Sequence, residues 1–172
     1  MHSGKFGLPG LAMIMTLTMM LGLAPAAAGD FSLEGYFSGK TSAIGSFSAI
    51  NGAKRTFTVD LQGKWNGKTL TLVEDFVYDN GERDRKTWRF EKIAKDKYRG
   101  TREDVIGDTL VTISGGTARF SYLVDLDPKG KGNRVRFHDT MRLKGDGTVL
   151  NKALVTKYGL PVALTRVEFQ RP

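Results

Sequence analysis

Residues 51–81 read NGAKRTFTVDLQGKWNGKTLTLVEDFVYDNG, in which Asn51-Gly52, Asn66-Gly67 and Asn80-Gly81 are separated by runs of alternating apolar and polar residues. Asn-Gly readily takes the positive φ angles of a type I′ turn, whose twist matches paired strands, so each pair predicts a strand reversal. Period-two alternation makes the intervening runs strands with one buried face. The stretch therefore predicts consecutive antiparallel hairpins.

The pattern continues to the C terminus. Ten strands are predicted at 45–50, 54–62, 68–78, 85–93, 98–105, 109–114, 117–126, 134–143, 148–157 and 162–170, and 31–37 reads as a leading strand or extended arm. Their connections carry turn chemistry, as in Gly115-Gly116, Asp127-Pro128-Lys129-Gly130 and Lys144-Gly145-Asp146-Gly147. No helix-length amphipathic segment intervenes. The expected fold is all-β, an antiparallel meander closed into a lipocalin- or calycin-like barrel of about eight to ten strands, because closure removes exposed edges. Short connections and ionisable groups on the apolar faces argue against an outer-membrane barrel.

The first residues read differently. His2 and Lys5 precede an apolar run over 8–23, which ends at Ala24-Pro25-Ala26-Ala27-Ala28. This predicts a secretory signal peptide over residues 1–28, cleaved after Ala28, with residues 29–172 forming a single barrel domain in the periplasm. The chain has no Cys, which excludes disulfides, thiolate metal ligands, a cysteine nucleophile and a lipid anchor on an N-terminal cysteine. Its net charge of +8 favours anionic partners. Positive residues alternate with acids, as in Glu82-Arg83-Asp84-Arg85-Lys86, so no basic stripe is visible. The charge is read either as a solvated face that keeps the protein soluble or as a surface for peripheral contact with an anionic membrane, and nucleic acid is not expected.

Strand parity selects the interior. Phe57, Val59 and Leu61 share a face, as do Leu70, Leu72, Glu74, Phe76 and Tyr78 on the next strand. Trp88 and Phe90 bring Lys86 inward, and Tyr98 brings Arg102 and Asp104. Phe120, Tyr122, Val124 and Leu126 form one inner row, Val135, Phe137, Met141 and Leu143 another with Asp139 in its middle, and Val149, Ala153 and Val155 place Asn151 inside. Such charges must pair, hydrogen-bond, or meet water or ligand. In a polar plug they satisfy one another. In a cavity, Trp88, Tyr98, Phe120 and Tyr122 line the walls, while Glu74, Lys86, Arg102, Asp104, Asp139 and Asn151 orient a head group.

Catalytic motifs are sparse. His138 and Asp139 are adjacent on a strand and point to opposite faces, so they cannot form the His-Asp arm of a triad, and no Gly-x-Ser-x-Gly elbow is present. Glu74 and Asp139 could approach across the barrel as an acid/base pair. The segment Asp125 to Gly130 resembles a calcium loop only faintly, because Arg136 stands where the motif needs Glu. The Lys129-Gly-Lys-Gly132 segment lacks phosphate-loop spacing, and neither a metal site nor a cofactor motif is present.

The segment from Glu74 to Glu82, with Arg85 and Trp88, resembles an uncharacterised bacterial envelope family catalogued as domain of unknown function three-eight-three-three. The resemblance extends through Tyr98-x-Gly-Thr-x-x-Asp-Val-Ile-Gly107, Arg136-Phe-His-Asp-Thr-Met141 and Leu150-Asn-x-x-x-x-x-Lys-Tyr-Gly159. Many members of that family resemble lipoproteins, from which this chain departs by lacking the cysteine. The resemblance implies an association with fatty-acid-modifying enzymes such as cyclopropane synthases. It supplies no catalytic residues.

Three functions follow as expectations. The first is an exported barrel that binds a hydrophobic or amphipathic small molecule, such as a fatty-acyl or lipid-related ligand. A lipid isomerase, cyclase or hydratase using interior carboxylates is the second. The third is a non-enzymatic envelope accessory protein with a filled core.

Overall fold

The computed structural model describes residues 31–127, 130 and 132–172; the predicted signal peptide lies outside them, as do Pro128, Lys129 and Lys131 of the predicted turn and calcium-like loop. A short helix α1 (Leu33–Phe37) leads into β1 (Gly39–Ala49), β2 (Lys54–Trp65), β3 (Thr69–Tyr78), β4 (Arg83–Ala94) and β5 (Lys97–Thr101). The chain continues through β6 (Val105–Ile106), β7 (Thr109–Ser114), β8 (Thr117–Asp125), β9 (Arg134–Leu143), β10 (Val149–Lys157) and β11 (Leu160–Gln170). All pairings are antiparallel, and β8 joins β9 to close the sheet into a ten-stranded barrel, with two-residue β6 as an added rung on β8.

Three expectations need correction. Residues 31–37 are not extended: Ser32 caps α1 by accepting from Gly35 N at 3.0 Å. The predicted strand 98–105 breaks at Arg102, where Val105 N donates to Arg102 O and the chain crosses from β4 towards β8. The resulting gap beside β4 is spanned by Glu103, whose carboxylate accepts from Thr87 N at 3.0 Å. The Asn-Gly turns are also not type I′. Gly52, Gly67 and Gly81 have positive φ, whereas the preceding asparagines do not. At the first and third, Gly52 N donates to Ala49 O and Gly81 N to Tyr78 O, so a type I turn ends in a left-handed glycine. Asn51, Asn66 and Asn80 instead spend their side-chain oxygens on backbone N–H groups two residues onward.

One end of the barrel is closed. Phe31, Leu33 and Phe37 fill it, with Phe37 packed edge-on against Phe169 at 5.3 Å. Gly63 makes this possible, since a Cβ there would collide with the Phe37 carbonyl. Glu34 ties the plug to the wall by accepting from Lys92 and Tyr98, and Tyr36 donates to Phe169 O. The other end is open and ringed by the β1–β2, β3–β4, β8–β9 and β10–β11 connections.

The outer surface groups positive residues that the sequence interleaves with acids, alongside exposed apolar side chains such as Ile44 and Leu164. Strand register places Arg119, Lys152 and Arg166 in one outward row through Thr140, with Arg136 and Arg142 in neighbouring rows of β9. Arg166 pairs with Glu168, whereas Arg119, Arg136, Arg142 and Lys152 form no salt bridge among the described residues. The basic face is assembled from separate strands, so it leaves no stripe in the sequence.

Candidate functional site

The interior is not filled. An open-ended cavity of about 870 Å³ runs from the mouth to α1. Aromatic rings make most of its wall: Trp88 meets Tyr122 edge-on at 5.2 Å, and Tyr122 stacks on Phe137 at 5.2 Å. Phe57, Phe76 and Tyr78 form a second cluster nearer the mouth. Gly45 opposes Phe57 in the register and leaves room for that ring.

A polar belt crosses this apolar space. Arg102 lies over the Trp88 ring at 4.8 Å and the Tyr122 ring at 5.4 Å, and donates through Nε and Nη2 to Asp104 at 2.6 and 3.2 Å. Lys86 reaches Asp84 at 3.1 Å and Asp104 at 3.3 Å. Burial opposes the Asp104 charge, but the two cations outweigh it and hold the carboxyl below its ordinary value.

The other two carboxylates have no such partner. Glu74 opposes Lys86 in the register, yet neither cation pairs with it. Burial pushes its carboxyl up to about 7, with Arg102 lowering it and Glu103, Asp104 and Asp139 adding repulsion. Asp139 accepts from Asn151 Nδ2 at 2.5 Å, and burial pushes it to about 7 against that bond and Arg102. The outer atoms of this pair, Asp139 Oδ2 and Asn151 Oδ1, are buried without a partner among the described residues, as is Thr41 Oγ1.

Nine of the ten predicted site residues line the cavity: Glu74, Lys86, Trp88, Arg102, Asp104, Phe120, Tyr122, Asp139 and Asn151. Tyr98 does not. It is fully buried at the closed end, where its hydroxyl donates to Glu34 at 2.5 Å and locks α1 in place. Parity put it inside the barrel correctly but gave no depth along the axis. Sequence reasoning missed Phe47, which lines the cavity from within the predicted first strand, and the buried Thr41, because β1 begins six residues before that strand and its small inward residues, Thr41, Ala43 and Gly45, give little alternation signal. His138 points outward and meets Thr156 Oγ1 at 3.2 Å, away from the cavity. Among the described residues, no group of three His, Asp or Glu side chains is arranged to hold a metal ion.

The family described as "Protein of unknown function (DUF3833)" matches residues 18–171. The chain belongs to DUF3833. Two solved structures are similar to this DUF3833 protein. The S-type phycobiliprotein lyase from Guillardia theta is 12% identical with a TM-score of 0.60, over 84% of this chain and 95% of its own. The M. tuberculosis protein Rv2717c is also 12% identical, with a TM-score of 0.57 over 79% of this chain and 92% of its own. At that identity the likeness carries the fold alone, a lipocalin-like, calycin-type barrel. No curated protein matches the sequence.

Proposed function

We propose that this DUF3833 protein binds an amphipathic small molecule in the barrel. Its apolar part, such as a fatty-acyl or alkyl chain of lipid origin, lies among the aromatic rings, and its head lies at the belt of Glu74, Arg102, Asp139 and Asn151. The observation that carries this reading is a cavity of about 870 Å³ lined by stacked aromatics and crossed by unpartnered polar atoms. Its volume lies within the roughly 300–1,000 Å³ of small-molecule sites. Trp65→Phe leaves Trp88 as the reporter among the chain's two tryptophans. Titration with a decyl amphiphile should then shift Trp88 emission saturably, one ligand per chain. Emission that does not saturate sinks the reading.

A second reading rests on the two carboxyls held near 7, a value suited to general acid/base work on a bound lipid. Turnover of unsaturated phospholipid that survives both Glu74→Gln and Asp139→Asn removes these groups as catalysts.

We infer that this binding takes place in the periplasm, at an anionic lipid surface. The leader over residues 1–28 supports export. Support for the surface comes from the basic outer face of β8–β10 and from apolar groups at the mouth. There Ile50 is 77%, Leu160 69% and Tyr158 94% exposed. N-terminal sequencing of the periplasmic fraction tests the first part, and a chain still beginning at Met1 sinks it.

A further inference from the structure

The belt's donors and acceptors are unequally used. Arg102 gives Nε and Nη2 to Asp104, and Lys86 is shared by Asp84 and Asp104. At the mouth, Arg55 is held by Glu82, and Lys157 donates to Asn133. The charges of Arg102, Lys86 and Arg55 are thus matched by carboxylates of the protein. The cavity's acceptors are not matched: Asp139 Oδ2 and Asn151 Oδ1 have no partner, and the Glu74 carboxylate makes no hydrogen bond among the described residues. All three residues are more than nine-tenths buried. A buried acceptor left unmatched is costly, so a ligand that supplies N–H or O–H groups recovers what the fold has spent. A ligand carboxylate instead brings another negative charge beside Glu74 and Asp139, where the charges of Arg102 and Lys86 are already offset by Asp104 and Asp84.

We propose that the cavity selects an amphiphile whose polar end donates hydrogen bonds, an amine or an alcohol, and rejects one that ends in a carboxylate. An ammonium head offers three donors for the acceptors of Asp139, Asn151 and Glu74. Its single positive charge also offsets one of the two carboxylate charges, so the amine binds more tightly than the alcohol above neutral pH. This inference rests on the cavity being a binding site, and it adds the chemistry of the head.

The test uses residues 29–172 as processed from the full chain, the neutral dye N-phenyl-1-naphthylamine in the cavity, and three competitors sharing a decyl chain: decylamine, decanol and decanoate. Displacement by the amine or the alcohol at concentrations about tenfold or more below decanoate is expected from charge-assisted bonding alone. The amine against the alcohol distinguishes charge from hydroxyl donation. Asn151→Leu and, separately, Glu74→Gln should each narrow the gap between amine and decanoate, so one misfolded variant leaves the other to decide. Dye binding with equal displacement by all three, or with decanoate ahead, overturns the head-group inference and leaves the binding cavity standing. A protein that takes up neither dye nor any competitor overturns both.

Discussion

Asn151 holds Asp139 through a single 2.5 Å hydrogen bond, and the far oxygen of each side chain is buried with nothing to meet. The burial of Asp139, and of Glu74 in the same cavity, makes the barrel sensitive to pH. In the unfolded chain Asp139 and Glu74 ionise near pH 4, roughly; in the folded barrel burial holds both at about 7. The folded state therefore keeps protons that the unfolded chain has released, and stability falls as pH rises from about 4 through about 7. Asp139→Asn should remove part of this slope, raising stability at pH 8 by about 1–3 kcal/mol while changing little at pH 5. Thermal unfolding at the two pH values checks it, and a loss of stability at pH 8 would contradict the assignment.

The α1 plug depends on a missing side chain. Gly63→Ala puts a Cβ against the Phe37 carbonyl, which is backbone and cannot swing aside. The expected cost is about 1–3 kcal/mol in denaturant unfolding. Gly45→Ala is a different case, because the ring of Phe57 can turn away. That variant should lose less stability and weaken dye binding by narrowing the cavity.

Glu34 is the other anchor of the plug. Burial opposes its charge, yet the hydrogen bonds from Lys92 and Tyr98 outweigh it and hold the carboxyl below its usual range. Glu34→Ala should cost about 1–3 kcal/mol, since it strands a buried Tyr98 hydroxyl. Tyr98→Phe should cost about 1 kcal/mol and leave ligand affinity unchanged, because Tyr98 lies below the cavity.

The basic face and the exposed mouth make separate predictions. Arg119→Glu with Lys152→Glu should abolish sedimentation with phosphatidylglycerol vesicles, an interaction that weakens as salt rises. Tyr158 sits at the β10–β11 turn with φ 52°, unusual for a bulky residue. Tyr158→Asn should stabilise the fold by about 1 kcal/mol while weakening vesicle binding. Wild-type protein that ignores these vesicles and binds a DNA duplex would contradict the proposed membrane contact.

The strand pattern was legible because one side chain in two is buried. Arg134–Leu143 and Thr109–Ser114 match their predicted bounds, and alternation alone put Asp139 and Asn151 inside. What alternation lacks is position along the barrel axis, which is why Tyr98 reads like Trp88 although one braces the floor and the other lines the cavity. Nor does it show which strands adjoin. Arg119, Arg142 and Lys152 come from three strands and meet only on the closed sheet. The short helix was hidden for another reason: five residues between two small polar ones give no helical period, and Ser32 is its sole local signal.

The central claim is that the cavity is built to be filled. Native mass spectrometry of the protein isolated from cells tests it most directly, with and without added decylamine and decanol. The account predicts one small molecule per chain, carried from the cell or taken up from the additive, and lost on unfolding. A bare chain mass alone, unchanged at saturating additive, would contradict it.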